Sequence, residues 1–123
     1  MSERSTPQKR LIKDIFLKSK RPLSVAEALS VAREHLPKMG QATVYRIIKD
    51  FVEADFLRSV DLPGDCTRYE RCQRPHHHFF HCQLCEKVYE VPGCAHGIKD
   101  LVPMGFIAEA HELVFYGRCR DCA

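Results

Sequence analysis

Apolar positions recur at helical spacing three times in the first half of the chain. Leu11, Ile12, Ile15 and Phe16 share one face while Lys9, Lys13 and Lys18 fall elsewhere. Thr6 before Pro7 supplies an N-cap and then a proline at the first helical position, where its missing N–H costs nothing. A first helix is predicted over about 7–18. Ser24 and Glu27 have the spacing of a capping box, which predicts a second helix over about 25–35 that buries Val25, Ala28, Leu29 and Val31 or Ala32. Pro37 and Gly40 end that stretch, and Thr43 is placed to cap a third helix with Val44, Ile47, Ile48, Phe51 and Val52 as its apolar stripe. Tyr45, Arg46 and Lys49 fall on its outer face.

Short strand patterns follow. Phe56 to Val60 and Thr67 to Cys72 flank a loop containing Pro63-Gly64. Three helices and then a hairpin predict a winged helix, in which the third helix enters a DNA major groove and the hairpin contacts the backbone beside it. The same helices also suit an ordinary small bundle with a solvated basic face. Beyond His77, Phe79 to His81, Lys87 to Val91, Phe106 to Ala108 and Glu112 to Tyr116 read as strands, with Ile98 to Leu101 as a short helix before Pro103. Fewer than about 50 residues bury little core unaided, so a metal or a partner chain must stabilise this part. The fold class expected is α+β, a winged helix over 1–74 followed by a small α/β domain over 75–123.

Charge and chemistry divide the chain the same way. Residues 1–58 carry 12 Lys/Arg against 7 Asp/Glu, while residues 59–123 carry 7 against 9. All seven Cys and every His except His35 lie in the second half. No apolar run approaches the ~18 residues of a membrane-spanning helix, and the first residues lack a signal peptide's apolar core, so a cytoplasmic protein with reduced cysteines is expected. At 123 residues a large enzyme is excluded, and so are two zinc chemistries: neither H-x-E ahead of P-C-x-x-C nor H-E-x-x-H occurs.

Cys82-x-x-Cys85 and Cys119-x-x-Cys122 are the strongest signal, because two such knuckles complete a closed tetrahedral zinc site of the structural kind. In a strand His76 and His78 share one face and His77 the other, so the run suits two metal sites or, failing those, a solvated surface. His96 and His111 are each placed to complete a site with His76 and His78, or to remain surface imidazoles. Cys72 lies close enough to join His77, unless it is an inert buried thiol. Cys66 and Cys94 have no partner at ligand spacing and read as free thiols.

Thr6-Pro7-Gln8-Lys9-Arg10, Ala42-Thr43-Val44-Tyr45-Arg46, His76-His77-His78 with Cys82-Gln83-Leu84-Cys85, and His111 through Cys119 occur in the order found in the ferric uptake regulator (Fur) family. The chain resembles that family of metal-dependent bacterial repressors over nearly its whole length. The resemblance implies a homodimer that binds double-stranded operator DNA, with no membrane partner, no small-molecule substrate and no catalytic residues. It also implies structural Zn²⁺ on Cys82, Cys85, Cys119 and Cys122, and DNA contacts from Tyr45 and Arg46, with Thr43 and Lys49 beside them and Lys9 and Arg10 on the first helix. A hinge sensing site would draw on Asp55, Cys72, His77 and Glu90, and a further site on His76, His78 and His111. Where the family often has a histidine this chain has Phe79, and where it has a glutamate the match falls near Gly97, leaving His96 as substitute. A thiolate at the hinge favours Zn²⁺ over Fe²⁺ or Mn²⁺ and resembles the zinc uptake regulator branch. If Cys72 only packs, an iron- or peroxide-sensing relative fits better. A zinc-stabilised DNA-binding module that senses no metal is the reading from another class.

Overall fold

The computed structural model describes residues 6–94 and 97–123, and the chain folds as two compact units, Met1–Gln73 and Arg74–Ala123.

In the first unit, α1 (Pro7–Lys18), α2 (Val25–Ala32) and α3 (Gln41–Glu53) pack around one core. Ile12 and Phe16 of α1, Ala28 and Ala32 of α2, and Val44 and Ile48 of α3 are all buried there. Local chemistry sets the helix starts. The Thr6 hydroxyl accepts the Lys9 N–H at 3.1 Å, and Ser24 and Glu27 close a reciprocal box at 3.1 and 3.0 Å. The second helix is shorter than its pattern predicts: the Ala32 carbonyl accepts both the His35 and Leu36 N–H groups, and the chain turns off toward Pro37. The third begins earlier than Thr43. Gly40 is its N-cap with no side-chain bond, since the first turn closes from the Val44 N–H to the Gly40 carbonyl at 3.2 Å. Thr43 therefore lies inside the helix, where its hydroxyl accepts from Arg46 Nη2 at 3.4 Å.

The wing completes this unit. β2 (Leu57–Val60) and β3 (Arg68–Arg71) pair antiparallel with Leu57 opposite Arg71, and the two-residue β1 (Leu23–Ser24) joins the other edge of β3. Arg68, 4% exposed, ties wing to helix: Nε reaches Asp65 Oδ2 at 2.6 Å and Nη1 reaches Glu27 Oε1 at 2.5 Å. Three helices followed by this hairpin form the winged helix that the sequence pattern predicts.

The second unit is a three-stranded sheet in the order β5 (Val88–Pro92), β4 (His77–Cys82), β6 (Val114–Gly117), with β4 antiparallel to β5 and parallel to β6. The parallel pair is joined through a 3₁₀ turn, Ile98–Leu101, and a long stretch without strand. Phe106 to Ala108, expected as a strand, is not one. Gly105 adopts φ +87 and the Phe106 N–H bonds back to Pro103, so the chain turns here, and Phe106 and Ile107 stand 70% and 88% exposed. Among the described residues, the buried hydrophobics of this unit are Cys82, Val88 and Cys119, accompanied by buried His77, His78 and His81. Its interior is largely made of candidate ligands.

Candidate metal centres

The sheet register brings the two Cys pairs together. β4 ends on Cys82 opposite Gly117, the last residue of β6, and the Gln83 N–H bonds to the Gly117 carbonyl at 2.7 Å. Cys119 follows two residues later, so the second pair arrives beside the first. The chain turns tightly at each pair: Glu86 N–H reaches the Cys82 carbonyl at 3.1 Å with Glu86 at φ +63, and Cys122 N–H reaches the Cys119 carbonyl at 3.0 Å. All four Sγ atoms lie within 4.8 Å of one another, with Cys85 and Cys119 at 3.8 Å. A tetrahedron of ~2.3 Å Zn–S bonds has edges of about 3.8 Å.

The electrostatics also suit a cation. Backbone N–H groups of Cys85 and Cys119 point at Cys82 Sγ from 3.5 and 3.4 Å, and these bonds, the Cys85 one foremost, pull the Cys82 thiol down to about 5. The Tyr89 hydroxyl, donating to Cys119, lowers that thiol too, and its own phenol is pushed up in return. Cys122, donating to Cys119, is pushed up to about 12. Clustered thiols thus compete for one proton balance, which a divalent ion relieves by binding all four as thiolates.

A second cluster forms at the other end of the sheet. His76, just before β4, and His78 within it come together, and Nε2 of each meets Nε2 of His111, at 3.2 Å in both cases, with 3.1 Å between themselves. Cys94 Sγ lies 3.3 Å from His78 Nε2 and 3.2 Å from His111 Nε2. Register explains each arrival. His77 pairs with Pro92, the last residue of β5, so a turn at Gly93 delivers Cys94; Phe79 pairs with Val114, so His111 precedes β6 beside His76. A neutral imidazole carries one N–H, so three Nε2 atoms converging on a point cannot satisfy one another, whereas a metal accepts a lone pair from each. Burial, then the neighbouring His76, His111 and His77, hold the His78 imidazole below its ordinary value and keep it in the neutral ligating form. Tetrahedral Zn–N and Zn–S bonds would set edges of roughly 3.3 to 3.6 Å, close to those found.

This cluster differs from the set expected in one corner. His96 lies outside the described residues, and Cys94, which reads from sequence as a free thiol, stands with the three histidines. No sequence spacing marks Cys94; only the β4–β5 register does.

The hinge candidates are divided, Asp55 and Cys72 in the first unit and His77 and Glu90 in the second. Asp55 is exposed at φ +59 in the turn after α3, and Cys72, half-buried, donates its N–H to the Phe56 carbonyl at 2.9 Å. His77 is buried, with Nδ1 2.6 Å from the Pro75 carbonyl, and the Glu90 carboxylate is ion-paired to Arg74.

On α3, Tyr45, Arg46 and Lys49 are exposed, with Lys49 Nζ 5.8 Å over the Tyr45 ring; Thr43 is half-buried. On α1, Arg10 is exposed and Lys9 Nζ lies 3.5 Å from Asp50 Oδ2. Among the described residues no helix is long and apolar enough to cross a membrane.

The sequence profile of the ferric uptake regulator family matches residues 1–116. The chain is 30% identical over 115 residues to a ferric uptake regulation protein of Bordetella parapertussis, covering 90% of this chain and 83% of that one. It is 25% identical over 124 residues to the peroxide operon regulator of Bacillus subtilis, covering 98% and 84%. The structure of a zinc-bound manganese uptake regulator superposes with a TM-score of 0.82 at 27% identity, covering 95% of this chain and 91% of that one.

Proposed function

Because the chain belongs to the ferric uptake regulator family of metal-responsive regulators, we propose that it is a zinc-responsive, DNA-binding repressor of metal-uptake genes, reading zinc at His76, His78, Cys94 and His111. The carrying observation is the Cys94 thiol among three imidazoles. Three nitrogens and one sulfur at tetrahedral spacing suit Zn²⁺, whereas Fe²⁺ and Mn²⁺ prefer nitrogen and oxygen donors. A thiolate beside redox-active iron is also open to oxidation. Cys82, Cys85, Cys119 and Cys122 present a closed all-sulfur set, the chemistry of a structural zinc.

The first unit supplies the DNA interface. Tyr45 and Arg46, with Thr43 behind them, face the base edges, and Lys49, Lys9 and Arg10 the phosphates. The chain acts as a dimer, so two α3 helices meet successive half-sites. The responsive cluster joins residues from β4 and just before it, from the turn after β5 and from the stretch before β6, fastening three parts of the second unit together. Loading it favours the ordered, operator-binding state, and by linkage operator DNA tightens zinc.

Fluorescence anisotropy of a palindromic operator tests this, at fixed salt and buffered free Zn²⁺, Fe²⁺ or Mn²⁺, with wild type, Cys94→Ser and Cys72→Ser. Binding is expected to tighten at the lowest free concentration with Zn²⁺, and the midpoint to rise by more than about tenfold in Cys94→Ser only. A shift in Cys72→Ser with none in Cys94→Ser would overturn the reading. Tightening by Fe²⁺ or Mn²⁺ with no response to Cys94→Ser would place the protein with iron or peroxide regulators.

A further inference from the structure

Glu90 fits a metal poorly, and the reason is a cation that belongs to the chain. Arg74 Nη2 donates to Glu90 Oε2, with the two side chains 23% and 16% exposed. A guanidinium never gives up its charge at accessible pH, so it holds a partly buried carboxylate as a metal ion would, without dissociating. The Arg74 Nε is buried without a hydrogen-bond partner, which leaves Glu90 as the contact that holds the guanidinium. On the neighbouring strand the residue paired with Glu90 is Phe79, an aromatic with no donor to offer. His77 Nδ1 is 2.6 Å from the Pro75 carbonyl but 3.9 Å from Glu90 Oε1, so that N–H is directed to the backbone. The His77 ring meets Phe79 edge to face with centroids 5.1 Å apart.

We infer that Arg74 serves as a built-in cation at Glu90, taking the place a metal would occupy there and keeping that carboxylate out of the metal response. The inference rests on the proposed role of His76, His78, Cys94 and His111, and it assigns Arg74 as the residue that withholds Glu90 from zinc.

The test counts metal in the full-length dimer by elemental analysis and by Co²⁺ titration, and measures zinc-dependent operator binding. The variants are Glu90→Gln and Arg74→Gln/Glu90→Gln; the second removes both charges, so a folding defect from a stranded guanidinium does not obscure the result. Two ions per chain, matching the two clusters, and an unchanged zinc midpoint are expected in both. Loss of one equivalent, or a midpoint shift of more than about tenfold in both variants, would make Glu90 a ligand and overturn the assignment. Cys94→Ser, run in parallel, separates the two ideas. If its zinc midpoint does not move the proposed cluster fails, and the Glu90 variants still decide what Arg74 does.

Discussion

Arg68→Met removes a guanidinium that joins the wing to the helices while keeping most of the buried stem. Arg68 is 4% exposed and makes two bonds to Asp65, at 2.6 and 3.1 Å, and one to Glu27 at 2.5 Å. The Asp65 side chain is itself 7% exposed, so the substitution takes the countercharge from a buried carboxylate. Removing one member of such a pair costs ~3 to 5 kcal/mol. Glu27 keeps Arg21 at 2.8 Å and the Ser24 N–H at 3.0 Å, which places the expected loss near the lower end, about 3 kcal/mol. With a urea m-value of about 1.5 kcal/mol/M for a unit of this size, the midpoint falls by about 2 M. Circular dichroism at 222 nm reads this unit selectively, because among the described residues the α-helices all lie within Met1–Gln73. Cobalt absorption of the all-thiolate site should not change. A midpoint shift under about 0.5 M would show that water replaces the guanidinium cheaply and that Arg68 does not fasten the wing.

Three further outcomes are expected. Lys49→Gln removes one phosphate contact per protomer, so the slope of log K against log salt becomes shallower by about 1.8 per dimer, and wild type loses about 12-fold more affinity between about 50 and 200 mM salt; parallel slopes would take Lys49 off the DNA. Burial alone would push Glu27 up, but the Ser24 N–H, Arg21 and Arg68 together hold it below its ordinary value of 4.5. Its contribution is therefore complete above that value and is lost as pH falls through the depressed one, so acid titration of Glu27→Gln should lack part of the wild-type loss of 222 nm signal. Stripping metal with a chelator should open the second unit to amide exchange while the 222 nm signal persists, because the apolar core cluster lies wholly in the first unit; joint loss of both would contradict this.

What the sequence makes legible is whatever a short stretch of chain decides for itself. Thr6, and Ser24 with Glu27, mark two helix starts because each cap is closed within three residues, and the structure has both bonds. Thr43 misleads for the same reason: its hydroxyl suits a cap, yet Gly40 closes the turn through backbone alone. Each Cys-x-x-Cys pair is likewise local, so only the meeting of the pairs had to be inferred.

The second cluster shows where local reasoning ends. Cys94 lies 16 residues from His78 and 17 from His111, and neither interval means anything until β4 is laid against both its neighbours. Side chains alternate along a strand, so His76 and His78 face one way and His77 the other. Pairing His77 with Pro92 then sends the chain past Gly93 to deliver Cys94 on the His78 side, and the same pairing sets Phe79 against Glu90. One register therefore gives a thiol to one group of ligands and an aromatic ring to the other. A slip of one residue would reverse that distribution. The selectivity proposed for this protein thus depends on how β4 pairs, and Arg74 reinforces it by holding the carboxylate that the same register sets against Phe79.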